Sequence, residues 1–105
     1  MADVRVSDQV AVTQALIADG FDPPPYVGEE WVDRSVTWLP EGHRHIVKIT
    51  ALGKTVSGWQ ARVSRRQVDE HGNTVPSGCG NGFIYVEHLF GRGFPDIYGY
   101  ERVTA

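Results

Sequence analysis

Between Arg44 and Gln67, apolar and polar positions alternate along the chain. His45, Val47, Ile49 and Ala51 fall on one side and Arg44, Lys48 and Thr50 on the other, with Ile46 out of step. Past Gly53 to Gly58 the alternation resumes, with Trp59, Ala61 and Val63 on one side and Gln60, Arg62, Ser64 and Arg66 on the other. A period of two marks a strand with one buried and one wet face. The polar stretch between them has a glycine at each end and can reverse the chain. The pattern therefore predicts two antiparallel strands, His45 to Leu52 and Trp59 to Gln67, around which the rest is organised.

Upstream the period changes. Ser7 is a good N-cap and Asp8 suits the first turn, so residues 8–19 read as a helix. Val12, Ala15 and Leu16 would lie on its buried side, with Ala11 and Ala18 at the margin. Gly20 fits the left-handed position after the helix, and Phe21 the contact back to Leu16 of a Schellman motif. Asp22-Pro23-Pro24-Pro25-Tyr26 follows as a stiff connector. It also matches the PPxY pattern that WW domains read, but prolines after a helix are ordinary stop signals.

Trp31 to Leu39 is expected as a strand with Val32, Val36 and Trp38 inward and Asp33, Ser35 and Thr37 outward. Pro40 to His43 would then turn the chain into the organising pair. Downstream, His71-Gly72-Asn73 reads as a tight turn in which Gly and Asn supply positive φ. Pro76 to Gly82 reads as a glycine-rich loop. Phe83 to Phe90 is a strand apolar on both faces and hence central or covered, and Gly91 to Pro95 breaks it. Ile97 to Val103 is a weaker last strand. These elements predict an α+β domain over 1–105, one N-terminal helix packed on a four- to five-stranded antiparallel meander.

Composition narrows the function classes. A chain of 105 residues suits one core. No uncharged apolar run approaches the ~18 residues of a membrane span, and Met1 to Asp8 lacks the profile of a signal peptide. A single cysteine, Cys79, excludes an internal disulfide and suits a reducing compartment. A cytoplasmic location is expected. Eight arginines against two lysines point to a GC-rich genome, bacterial or phage. The net charge of −3 argues against wholesale nucleic-acid binding, yet it is uneven. Residues 1–43 hold eight acids and two bases, a balance of −6, while residues 44–105 hold eight bases and five acids, a balance of +3. Such asymmetry marks either a partner site or an acidic part folded onto a basic one.

No constellation of reactive residues meets its own requirements. His43, His45, His71, Cys79 and His88 offer zinc ligands without zinc-site spacing. Cys79, with His71 or His88 as base, is a thiol pair in search of an activating motif. Gly78 to Gly82 leads into a predicted strand rather than a helix, so no phosphate loop forms. Glu29-Glu30 and Asp69-Glu70 lie in predicted loops, where carboxylates are solvated. No metal and no cofactor is expected, and no motif assigns the chain to a family.

The leading expectation is a small non-enzymatic protein that binds another protein bearing an acidic surface. An inhibitor, immunity-type or accessory protein would be of this kind. Its interface would comprise Arg44, Lys48, Arg62 and Arg66, with Tyr98 and Tyr100 in the aromatic end of the chain. If Val47 and Ile49 face Val63 and Ala61, Lys48 opposes Arg62 and Arg44 opposes Arg66, a repulsion that either internal acids, with Asp33 diagonal to Lys48, or a partner would relieve. The alternative is a small-ligand binder or enzyme using Cys79 with His71 or His88. A third reading is an oligonucleotide-binding module on the basic strands.

Overall fold

The chain folds about the antiparallel pair that its alternation predicts. A computed structural model describes residues 2–34, 36, 38–91 and 99–103, the side chains of 2–8, 77 and 78 excepted. Its elements are α1 (Ala2–Ala18), β1 (Glu30–Asp33), β2 (Arg44–Thr55), β3 (Gly58–Val68), β4 (Thr74–Tyr85), α2 (Val86–Leu89) and β5 (Tyr100–Arg102). The fold is α+β, with one antiparallel, strongly curled sheet in the order β4-β3-β2-β1-β5. Strands β1 to β4 follow one another as neighbours. β5 returns to the free side of β1, which departs from a simple meander.

Directly opposed residues in an antiparallel pair share a face. Val47, Ile49, Ala61 and Val63 are buried together with Leu16, Phe21, Trp31, Trp59, Ile84, Val86 and Leu89, and their common side is the core face. The register differs from the expected one by two residues: Lys48 opposes Ser64, Arg44 opposes Val68 and Ile49 opposes Val63. Lys48 therefore does not face Arg62, nor Arg44 Arg66, and the expected repulsion is absent. Ala51 then opposes Arg62, which makes Thr50 an extra residue, a β-bulge whose hydroxyl donates to the Arg62 carbonyl at 3.2 Å. The bulge inverts the alternation, so half-buried Leu52 follows Ile49 onto the core face and Ala51 stays exposed. The reversal takes two residues, Val56 and Ser57, rather than six, with Gly58 at φ +116°.

Trp31 opposes Val47 and Val32 opposes Ile46, which inverts the faces expected for β1. Trp31 and Asp33 point inward and are buried, and half-buried Val32 points outward. The strand also stops at Asp33, and Trp38 is 70% exposed. Burying an indole outweighs burying an isopropyl group, and one residue of register moves the whole strand. Ser35 and Thr37 lie outside the described residues.

Two more expectations are corrected in β4. Pro76 to Gly82 is not a free loop but strand, its register jumping from Gln67–Val75 to Arg65–Gly80, so that Pro76 to Cys79 stand opposite Arg66 alone. Proline is tolerated because β4 is an edge strand. Phe83 to Phe90 is not a central strand: β4 ends at Tyr85 and Phe83 is 58% exposed. Val86 and Leu89, three apart, bury the same side of the short helix α2. A short apolar run does not distinguish strand from helix. The turn before β4 forms as expected, the Asp69 carboxylate accepting the His71 and Asn73 amides at 2.9 Å. Only Gly72 has positive φ there. At the other turn the His43 amide donates to the Pro40 carbonyl at 3.0 Å. Within the last expected strand β5 holds only Tyr100–Arg102, while Ile97 and Tyr98 lie outside the described residues.

Helix α1 starts at Ala2, so Ser7 lies inside it rather than capping it. No glycine or proline precedes Ser7 to stop a helix extending that way. Leu16 is fully buried, Val12 and Ala15 pack against the core, and Ala11 and Ala18 are exposed. At the C-terminus the Phe21 amide donates to the Leu16 carbonyl at 2.9 Å and the Gly20 amide to that of Ile17 at 3.0 Å, with Gly20 at φ +93°. This is the Schellman pattern. The Asp19 carboxylate beside it accepts from the Trp59 indole at 2.7 Å and from Lys54 at 2.9 Å. No described helix is long and apolar enough to cross a membrane.

Two measurements check this joint. Gly20→Ala places a Cβ at positive φ and should lower stability by about 1 kcal/mol in urea unfolding. The hydrogen bond from Trp59, then that from Lys54, hold the Asp19 carboxyl below its ordinary range. Its stabilisation is therefore present above the unfolded aspartate value and lost as pH falls through the lower folded one. Asp19→Asn should lower the melting temperature at neutral pH and reduce its fall below about pH 4.

Candidate functional site

The two faces of the sheet carry different chemistry. On the core face the apolar residues give way, toward one end, to polar ones. Arg65 opposes Val47 and Gln67 opposes His45, so the side of β3 that carries Ala61 and Val63 continues into a cation and an amide. Asp33, only 5% exposed, lies beyond Trp31 on β1 and opposes Tyr100 on β5. One oxygen of its carboxylate is 3.8 Å from an Arg65 nitrogen and 3.8 Å from His45 Nδ1. His45 Nδ1 is buried and, among the described residues, makes no hydrogen bond, and the Gln67 amide meets His43 Nδ1 at 2.8 Å.

Glycine makes room for this cluster. A Cβ at Gly82 would lie 3.3 Å from Arg65 Nε, whereas one at Gly80, opposite Arg65, would meet nothing within 4 Å. Nearer the apolar core, the buried Glu29 carboxylate accepts from the Trp31 indole at 2.9 Å and lies 3.7 Å from Arg102. The Arg102 guanidinium stands over the rings of Trp31 and Phe90. Glu29, Trp31 and Arg102 satisfy one another inside the fold.

The outer face holds the expected basic residues. Arg44, Lys48, Arg62 and Arg66 share it, as the alternation predicts. They are not equivalent. Arg66 donates to the Glu30 carboxylate at 2.5 Å, whereas Arg44, Lys48 and Arg62 are exposed and, among the described residues, form no ion pair. Glu30 stands opposite Lys48, but its carboxylate goes to Arg66. Every other cation with a described side chain is matched: Arg34 with Glu101, Lys54 with Asp19, Arg65 with Asp33, Arg102 with Glu29.

Beside the free cations, Phe83 lies directly opposite Arg62 and Tyr85 opposite Gln60, both on the outer face. Their rings meet edge to face at 6.0 Å, and Tyr85 meets His88 in the same way at 5.5 Å. The parity of β4 relative to Ile84 was the available signal for these aromatics. Of the expected aromatic contacts, Tyr100 packs against the core instead, and Tyr98 lies outside the described residues.

The thiol constellation is not assembled. Cys79 is exposed on the bulge, and its one hydrogen-bond partner among the described residues is the Val75 carbonyl at 3.8 Å. His71 sits beside Glu70 in the exposed turn, and His88 stacks on Tyr85. Among the described residues no group of three or more His, Cys, Asp or Glu side chains could hold a metal ion.

Compared with profiles of protein families, with curated proteins and with solved structures, the chain gives no match.

The polar end of the core makes its own prediction. Asp33→Ala leaves the Arg65 charge without its buried counterpart and should cost about 3 kcal/mol in denaturant unfolding. A loss under about 1 kcal/mol would show that solvent, not Asp33, balances Arg65.

Proposed function

We propose that this chain is a small, non-enzymatic binding protein that docks an acidic surface of another protein on the outer face of β2 and β3. An inhibitor, immunity-type or accessory protein acting in the cytoplasm of a bacterium, or encoded by its phage, would work in this way. The observation that carries the reading is the distribution of unmatched charge. Apart from Arg44, Lys48 and Arg62, each cation with a described side chain has a carboxylate, and these three lie on one sheet face. Exposed cations on a common face raise encounter rates with an acidic partner and disfavour basic ones. Arg66 keeps its place in the face but is already neutralised by Glu30, so the interface is narrower than the sequence implies.

The test is capture from a lysate of the natural host, comparing the wild type with Arg44→Glu/Lys48→Glu/Arg62→Glu. An acidic protein should bind the wild type at low salt, bind less as salt rises, and be lost from the variant. Screening acts over about 8 Å at physiological ionic strength, which makes the salt dependence diagnostic. The melting temperature of the variant should stay level, because none of the three cations forms an ion pair among the described residues. Identical captured proteins for both chains would refute the reading.

A further inference from the structure

We infer that the outer face receives an extended acidic segment whose aromatic side chain seats on Phe83 and Tyr85. This rests on the charge reading above and adds what the partner must carry. The three free cations follow one another along the face, Arg62 one strand over from the other two. Arg44 and Lys48 are four residues apart on β2, about 13 Å at the rise of a strand. Arg62 sits level with Ala51, about 10 Å further on. In an extended segment, alternate side chains point the same way, so acids four residues apart recur at about 13 Å and can meet Arg44 and Lys48.

Beside Arg62, on the neighbouring strand, lies the aromatic pair. Phe83 is opposite Arg62 and leaves more than half of its side chain in water, although Tyr85 and His88 fix the neighbouring rings edge to face. An exposed ring next to an unmatched guanidinium offers an apolar contact and a charge at one point, the combination that dominates binding hot spots. The residues around it are small or neutral: Ala51, Gln60, Ser64 and Asn81 share the face. Nothing among them blocks a flat approach by backbone. A nucleic-acid strand fits less well. Three free cations would engage only about three phosphates of such a strand.

The test uses fluorescence anisotropy with three fluorescein-labelled probes of similar length. One is a peptide of alternating Glu and Ala ending in Trp, the second has Ala in place of Trp, and the third is an oligothymidine. The full chain should bind the Trp peptide about fivefold more tightly than its Ala counterpart. Phe83→Ala should bring the two peptides level, and Phe83→Tyr should keep the difference, with circular dichroism confirming the fold of each. Arg44→Glu/Lys48→Glu/Arg62→Glu should weaken both peptides. Equal binding of the two peptides by the wild type overturns this inference and leaves the charge reading standing. Undiminished binding by the charge-reversed chain overturns both. Tighter binding of oligothymidine than of the Trp peptide, or binding of no probe, also overturns the inference.

Discussion

Alternation across a strand is the constraint on which everything else here depends. Once Val47, Ile49, Ala61 and Val63 are committed to the core face, Lys48, Arg62 and Arg66 are forced outward. A slip of one residue in β3 would exchange the two sets and bury cations. The bulge at Thr50 interrupts the rule within β2, and it serves the core. Without the extra residue, Ala51 would follow Ile49 inward and Leu52 would face water. With it, the larger side chain joins the core, and the outer face near Arg62 is left with the small one.

The same alternation carries Arg65 and Gln67 to the core face, and the molecule answers in two ways. Asp33 supplies a buried negative charge, and in β4 Gly82 leaves open a position where a Cβ would crowd Arg65 Nε at 3.3 Å. Gly82 is thus fitted to an inward arginine, and the glycine-rich segment around it pairs as strand rather than acting as a flexible connector. It also protects the molecule. An edge strand invites pairing with another chain, and Pro76 with the Pro76–Cys79 bulge interrupts the row of groups that such pairing needs.

What could be read in advance was what local chemistry decides. Gly20 and Phe21 complete a helix end from groups a few residues apart, and Asp69 to Asn73 close a turn in the same way. The faces of β3 followed from its own pattern. The inward turn of Asp33 was not legible, because it depends on Trp31 finding Val47 on a strand yet to come. Arg65 was half legible: a period of two continued past Val63 lands on it, but a charged residue argues against burial until its carboxylate is known. Glycine and proline in β4 read as loop because propensity cannot register an edge position or a bulge. For the site, the four basic residues were visible as a stripe, but which of them stay unmatched is a property of the tertiary pairing.

The uneven charge of the chain resolves along the same lines. Asp19, Glu29, Glu30 and Asp33, all from the acidic first part, meet Lys54, Arg102, Arg66 and Arg65 from the basic second part. Most of the asymmetry is therefore spent inside the fold, as one acidic segment laid on a basic sheet. Exposed cations add little to stability whether paired or not, so folding places no requirement on Arg44, Lys48 and Arg62. Their side of the sheet is set by the core, but their charge is not: a neutral polar residue would fill each outward position equally well. A reading of function has to account for charge retained where the fold has no use for it, and that residue of three cations beside an exposed ring is where the account begins.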